Sequence, residues 1–228
     1  ILFARIGDDA QADIWRVDLA TRAVTRVTRT PESEYSPVPT ADGGFSVVRV
    51  EQDSAQRLWR FAMSGDAPSV ILPGLAPVGY YAWSPAGSVL AFVLGTPQAL
   101  VFADPASGRA DTVAMNPGLS IPRIPGGGTL SYIPREGDGG TIMEFDPATR
   151  TARPLVAAVA GRQDYTWTPD GTVLMADGTR ILRWRRGAAD WEEVGRLDAP
   201  GLGTITRLTV SPDGRWLVVA AAEGAASP

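Results

Sequence analysis

The side chains that most often carry out covalent chemistry are missing from this chain. Its 228 residues include no His and no Cys, and all 21 basic residues are Arg. A Ser-His-Asp triad, a Cys nucleophile, a Schiff-base lysine and a P-loop lysine are therefore excluded within it. Zinc sites of the usual Cys/His kind are excluded as well. What remains is the chemistry of carboxylates, guanidinium groups, phenols and backbone amides. No catalytic, cofactor-binding or metal-binding residues are expected, and without Cys the redox compartment cannot be read.

Four groups of these residues stand out. The acidic stretches "GDDAQAD" (Asp8, Asp9, Asp13) and "EGDGG" (Glu136, Asp138) do not match the twelve-residue calcium loop with its terminal Glu. Both are expected to be solvated hairpin tips. "RILRWRRG" gathers Arg180, Arg183, Arg185 and Arg186, with Arg183 and Arg185 on one face of a strand. They form either a docking patch for an acidic partner or anionic headgroups, or a solvated face opposite the acids of "DWEEV". "IPGGGTLSY" and "GLGTI" are rich in glycine but lead into no helix, so they read as turns rather than phosphate cradles.

The fourth group lies in short segments ahead of apolar runs: Glu34, Tyr35, Tyr80, Tyr81, Arg123, Arg162, Asp164, Tyr165 and Arg207. Tyr and Arg are enriched in protein interfaces, where they bring a large contact area with a polar handle. The candidate partner-binding residues are therefore Tyr35, Tyr80, Tyr81, Arg123, Arg162, Tyr165 and Arg207, with Arg183 and Arg185. Packing of the tyrosines between sheets is the equal alternative, because an amphipathic ring suits either place.

The elements that position these residues emerge from a repeat. Turn glycines recur at Gly43 ("TADGG"), Gly87 ("SPAGS"), Gly127 ("IPGGG"), Gly171 ("TPDGT") and Gly214 ("SPDGR"), at intervals of 44, 40, 44 and 43 residues. Each is followed by an apolar run such as "FSVVRV", "VLAFVL" or "TVLMA". A second series, aligned on Ile14, Leu58, Leu100, Ile142 and Ile181, keeps step with the first. Its neighbouring columns, which point to opposite strand faces, are both apolar, so these strands are buried on both sides. Turns such as "DLATR", "DPASG" and "DPATR" lead on to a fourth strand. Four strands in about 43 residues match one propeller blade. The fold class is all-β, a propeller of four-stranded antiparallel blades over one domain, residues 1–228.

These segments resemble the repeats of the TolB-like propeller family, in which a "W-S-P-D-G" turn precedes an apolar strand and an "I-Y-x-x-D" strand follows. "WSPAGSVLAFV", "WTPDGTVLM" and "SPDGRWLVV" carry the first part, and "IWRVDLATR" and "FDPATR" the second. Ala86 and Gly126 depart from the pattern by replacing the acid of the turn. The resemblance implies a six-bladed ring. "ILFAR" reads as the second strand of a first blade and "ITRLTVSPDGRWLVVAAA" as two strands of a last one. The expectation is thus six blades with incomplete ends, about three strands short of closure, with a five-bladed ring as the alternative.

The totals bound the function. A net charge of −4 argues against nucleic acid as a partner. No apolar run reaches the roughly 18 residues of a membrane span. The chain opens at Ile1 without an initiator Met or a signal peptide, which reads as a processed or partial product. The preference for Arg over Lys, with abundant Ala and Gly, is that of a GC-rich bacterial genome. The resemblance implies a non-enzymatic, periplasmic or otherwise extracytoplasmic scaffold that binds protein partners as an accessory subunit of a membrane-associated complex. One alternative is the propeller domain of a prolyl-oligopeptidase-like hydrolase whose catalytic domain lies outside this chain. A second is a propeller that binds a glycan or small molecule.

Overall fold

The recurring Thr/Ser-x-Asp-Gly segments close hairpins by local chemistry alone. In a computed structural model describing residues 1–8, 10–137 and 139–224, all regular structure is β-strand. Asp9 and Asp138 of the acidic stretches lie outside the described residues. At "TPDGT" the Gly171 amide donates to the Thr168 carbonyl at 2.9 Å, and Gly171 holds φ +80°. The Thr168 hydroxyl donates to the Asp170 carboxylate, which also accepts the Thr172 amide at 3.3 Å. Thr40–Asp42–Gly44 and Ser211–Asp213–Arg215 repeat the arrangement. These bonds from hydroxyl and amide hold the carboxyls of Asp42, Asp170 and Asp213 below the usual carboxylate value.

The chain divides into two compact units. The first comprises residues 1–81 and 89–112. Its leading sheet is three-stranded: β1 (Leu2–Ile6), β2 (Ala12–Val17) and β3 (Val24–Arg26). A four-stranded sheet follows in sequential order: β4 (Ser33–Pro39), β5 (Phe45–Val50), β6 (Gln56–Phe61) and β7 (Ser69–Val70). So does a second, most of which belongs to this unit: β8 (Val78–Trp83), β9 (Val89–Val93), β10 (Ala99–Ala103) and β11 (Ala110–Met115).

The second unit comprises residues 82–88 and those from 113 onward. It holds a sheet of β12 (Leu130–Tyr132), β13 (Arg135–Glu136), β14 (Gly139–Asp146) and β15 (Thr151–Ala157). Next comes a sheet of β16 (Tyr165–Trp167), β17 (Val173–Asp177), β18 (Arg180–Trp184) and β19 (Glu192–Arg196). The last sheet has two strands, β20 (Leu202–Val210) and β21 (Leu217–Glu223). The small antiparallel sheets are propeller blades. Five have three or more strands among the described residues, which is the alternative blade number. The β20–β21 hairpin makes a sixth, two-stranded sheet.

The fourth blade departs from the expected pattern. Its turn places the positive φ on Gly126 (+75°) and not on Gly127, and the loop closes from the Ile124 amide to the Thr129 carbonyl, one residue wider than the Thr168–Thr172 closure. Its opening strand is reduced to a bridge between Arg123 and Leu130. Pro122 has no amide proton to donate to a ladder, and only its carbonyl contributes, accepting the Ser131 amide at 2.9 Å. β12 and β13 are two parts of one interrupted strand, since both pair with β14.

The aligned aliphatic column is buried throughout, whereas its neighbour on the other face is mixed: Val101 and Leu182 are buried, and Trp15, Trp59 and Met143 only partly so. Ile14, Leu58, Leu100 and Ile142 are fully buried, and Ile181 nearly so. In the first unit Ile14, Val27, Phe45, Val47 and Phe61 share one cluster, with the Phe45 and Phe61 rings stacked 5.5 Å apart. In the second, Ile142, Tyr165, Trp167, Val173, Met175 and Trp184 share another. Each such side chain contributes about 1.5–3 kcal/mol by leaving water. Asp13, expected at a solvated tip, is instead buried in β2 and paired with Arg26. The charge is tolerated there because it has an ionic partner.

Candidate functional site

The residues singled out from the sequence fall into separate clusters. In the second unit, Arg162, Asp164 and Arg207 line one depression of about 260 Å³, where the chain approaches β16 and in β20 itself. Arg162 donates from Nε and Nη2 to Asp177 Oδ1 at 3.1 and 2.7 Å. Asp164 accepts the Ser120 hydroxyl at 2.7 Å and a guanidinium N–H of Arg207. Burial pushes the Asp164 carboxyl above its ordinary value, against the hydrogen bonds of Ser120 and the charge of Arg207. Both arginines are thus held by carboxylates at the rim of one concavity.

Two further depressions flank the Gly126–Gly127 turn. One, of about 410 Å³, brings the exposed Arg123 to Trp167, Pro169 and Pro212. The other, of about 490 Å³, gathers Arg185, Arg186 and Glu144. Burial acts to raise the Glu144 carboxyl. Hydrogen bonds from Thr129, Arg153 and Arg186 outweigh it, and the group stays below the usual range. The Arg186 guanidinium also lies 5.9 Å from the Trp167 ring centroid. Arg183 is elsewhere in its interactions. It pairs with Glu192, its register partner on β19, at 2.9 Å, and Arg180 pairs with Glu193 at 2.8 Å.

The tyrosines separate into two kinds. Tyr81 is buried, and its hydroxyl donates to Ser46 Oγ at 2.7 Å. Tyr165 is buried in the second unit's core. Burial raises both phenols strongly, and neither ring reaches the surface. Tyr35 and Tyr80, by contrast, line a depression of about 460 Å³ in the first unit. Just ahead of Tyr35, Glu34 is fully buried and bonded by the Thr28 hydroxyl at 3.0 Å and by that of Thr30. Its carboxyl is raised by burial, against those two hydroxyls and the Arg49 charge.

Asp177, Ser120 and Gln56 belong to these clusters but carry no signal in the sequence. Their roles depend on which strands become neighbours. Among the described residues, no group of three or more His, Cys, Asp or Glu is placed to hold a metal ion. None contains a helix long and apolar enough to cross a membrane.

No family model and no curated protein sequence matches the chain. Solved structures share its fold. TolB from Acinetobacter baumannii matches with a TM-score of 0.73 at 15% identity, over 98% of this chain and 58% of that one. A chain of a nidogen/laminin complex gives 0.72 at 14% identity, covering 96% and 84%. A puromycin-hydrolyzing peptidase of Mycobacterium tuberculosis gives 0.61 at 18% identity, covering 97% of this chain and 41% of the enzyme. The chain thus spans less than two thirds of the TolB and peptidase chains. Non-enzymatic and enzymatic proteins are both among the proteins that share the architecture. The chain has the TolB-like β-propeller fold.

Proposed function

We propose that the chain is a non-enzymatic protein-interaction module, an extracytoplasmic accessory subunit that docks a protein partner of a membrane-associated complex. The observation that carries this reading is the depression holding Arg162 and Arg207, each already bonded to a carboxylate. Arginine is a frequent anchor at the centre of interfaces. A side chain ordered before binding loses less rotamer freedom when a partner arrives. Arg123, Arg185 and the glycine turn between them extend the same unit's accessible surface. The test is affinity capture from the native source with wild type and with an Arg162→Ala/Arg207→Ala double variant. A stoichiometric partner retained by wild type and lost by the variant is expected. Equal capture by both proteins counts against the reading.

The resemblance to the peptidase favours a second reading, in which the propeller belongs to a hydrolase with its catalytic domain elsewhere in a longer protein. Sequencing the complete gene decides it. A downstream G-x-S-x-G with a His supports the hydrolase, and its absence removes the reading.

A further inference from the structure

We propose that the Tyr35–Tyr80 depression of the first unit is a binding site for a neutral sugar residue, independent of the protein-docking surface above. The depression is about 460 Å³, and none of its lining side chains carries a charge. Its walls include Val48 and Leu94, and its polar groups include the Tyr35 hydroxyl and the Gln56 amide. Neither of these two makes a hydrogen bond within the described residues. Mostly apolar walls with a few convergent polar groups are the usual composition of a small-molecule site.

The backbone is shaped to present Tyr35. Pro37 interrupts the β4 ladder, and between the Tyr35–Val48 and Val38–Ser46 pairs two residues of β4 oppose one of β5. Ser36 takes φ +53° within this bulge. Bulges re-aim side chains, and strained residues of this kind cluster at binding sites. The residue before it, Glu34, is buried and held by the hydroxyls of Thr28 and Thr30, whereas Tyr35 is 37% exposed. The Tyr80 ring is held edge-on to Phe92, 5.8 Å between centroids at 82°. Gly79 keeps the space beside it open, where a Cβ would meet Phe92 Cδ1 at 3.2 Å and Leu94 Cδ2 at 3.7 Å.

The chemistry selects the ligand. An ion placed here would lose water with no opposite charge in return. A purely aliphatic group would leave the Gln56 amide and the tyrosine hydroxyl dehydrated and unpaired. A pyranose ring offers C–H groups to the phenol faces and hydroxyls to Gln56 and Tyr35.

The test is saturation-transfer NMR and titration with methyl glucoside, methyl galactoside and their neutral trisaccharides. Glucuronate and N-acetylleucine amide serve as the charged and aliphatic comparisons. Binding of a neutral saccharide is expected, weakened at least tenfold in Tyr35→Ala and in Gln56→Leu and unchanged in Arg207→Ala, all with wild-type circular dichroism. The proposal is overturned if no neutral saccharide in the panel binds, or if binding survives both substitutions. It is equally overturned if glucuronate or N-acetylleucine amide binds more tightly than the neutral sugars.

Discussion

The Trp167 indole donates to the Ser131 hydroxyl at 2.8 Å, joining the first strand of one blade to the second strand of the blade before it. In the first unit Tyr81 makes the corresponding bond to Ser46 at 2.7 Å. The pairs are 36 and 35 residues apart. Each places the polar end of a buried aromatic against a serine, so the ring packs without leaving its donor dehydrated.

Ser131→Ala leaves the Trp167 N–H buried without that acceptor. The expected loss is about 1–3 kcal/mol, read as a lower urea midpoint at an unchanged slope. Ser46→Ala behaves alike with respect to Tyr81. A fully neutral result for both would show that the serines do not join the blades.

Glycine substitutions distinguish the turns. Gly171 has open space where a Cβ would stand but holds φ +80°, so Gly171→Ala is expected to cost about 1 kcal/mol or slightly more. In the fourth blade the cost should fall on Gly126→Ala, with Gly127→Ala near neutral. Gly65→Ala should exceed all of these, because its Cβ would stand 2.1 Å from the Val27 carbonyl oxygen. Denaturant titration of the four variants gives the order.

Asp164 and the turn aspartates have opposite effects on the pH dependence of stability. Asp164 has a raised folded pKa, so the folded state binds its proton more tightly than the unfolded state does. Its contribution to stability therefore falls as pH rises from about the ordinary value of 3.8 through the raised value. Asp42, Asp170 and Asp213 are depressed; their stabilisation is full above 3.8 and is lost as pH falls through their lowered values. Asp164→Asn is expected to gain stability relative to wild type as pH rises across the Asp164 window. A constant difference between the two melting curves would refute this.

The Arg183–Glu192 pair is expected to matter little. Its side chains are 31% and 63% exposed, and exposed pairs contribute about 0–1 kcal/mol. Arg183→Ala should shift the urea midpoint only slightly and leave partner capture intact, whereas Arg162→Ala/Arg207→Ala abolishes capture.

What the sequence conveyed was what local chemistry controls. Asp170 and Gly171 announce their turn because the carboxylate and the positive φ act within five residues. Ile14, Leu58, Leu100, Ile142 and Ile181 announce a buried face because an aliphatic column repeated without exception has no solvent-facing use, while the neighbouring column, with Trp15, Trp59 and Met143 half-buried, is less legible. The fourth turn was misplaced by one residue, since three consecutive glycines offer no local preference among themselves. The fates of Tyr35 and Tyr81 were unreadable for a different reason. One is turned outward by the bulge at Ser36 and Pro37, the other inward to a serine 35 residues away. Likewise nothing near Arg162 in the sequence points to Asp177.

The proline-interrupted opening of the fourth blade bears on how the second unit breathes. Around Pro122, the Arg123 and Ile124 segment is attached by a single bridge and few amide bonds, whereas β16 in the next blade has a continuous ladder. In amide exchange, the segment ahead of β12 should open with a small local free energy while β16 and β17 exchange only on global unfolding. Isotope is therefore expected ahead of β12 before it reaches β16, and a protease is expected to cut the former sooner than the latter.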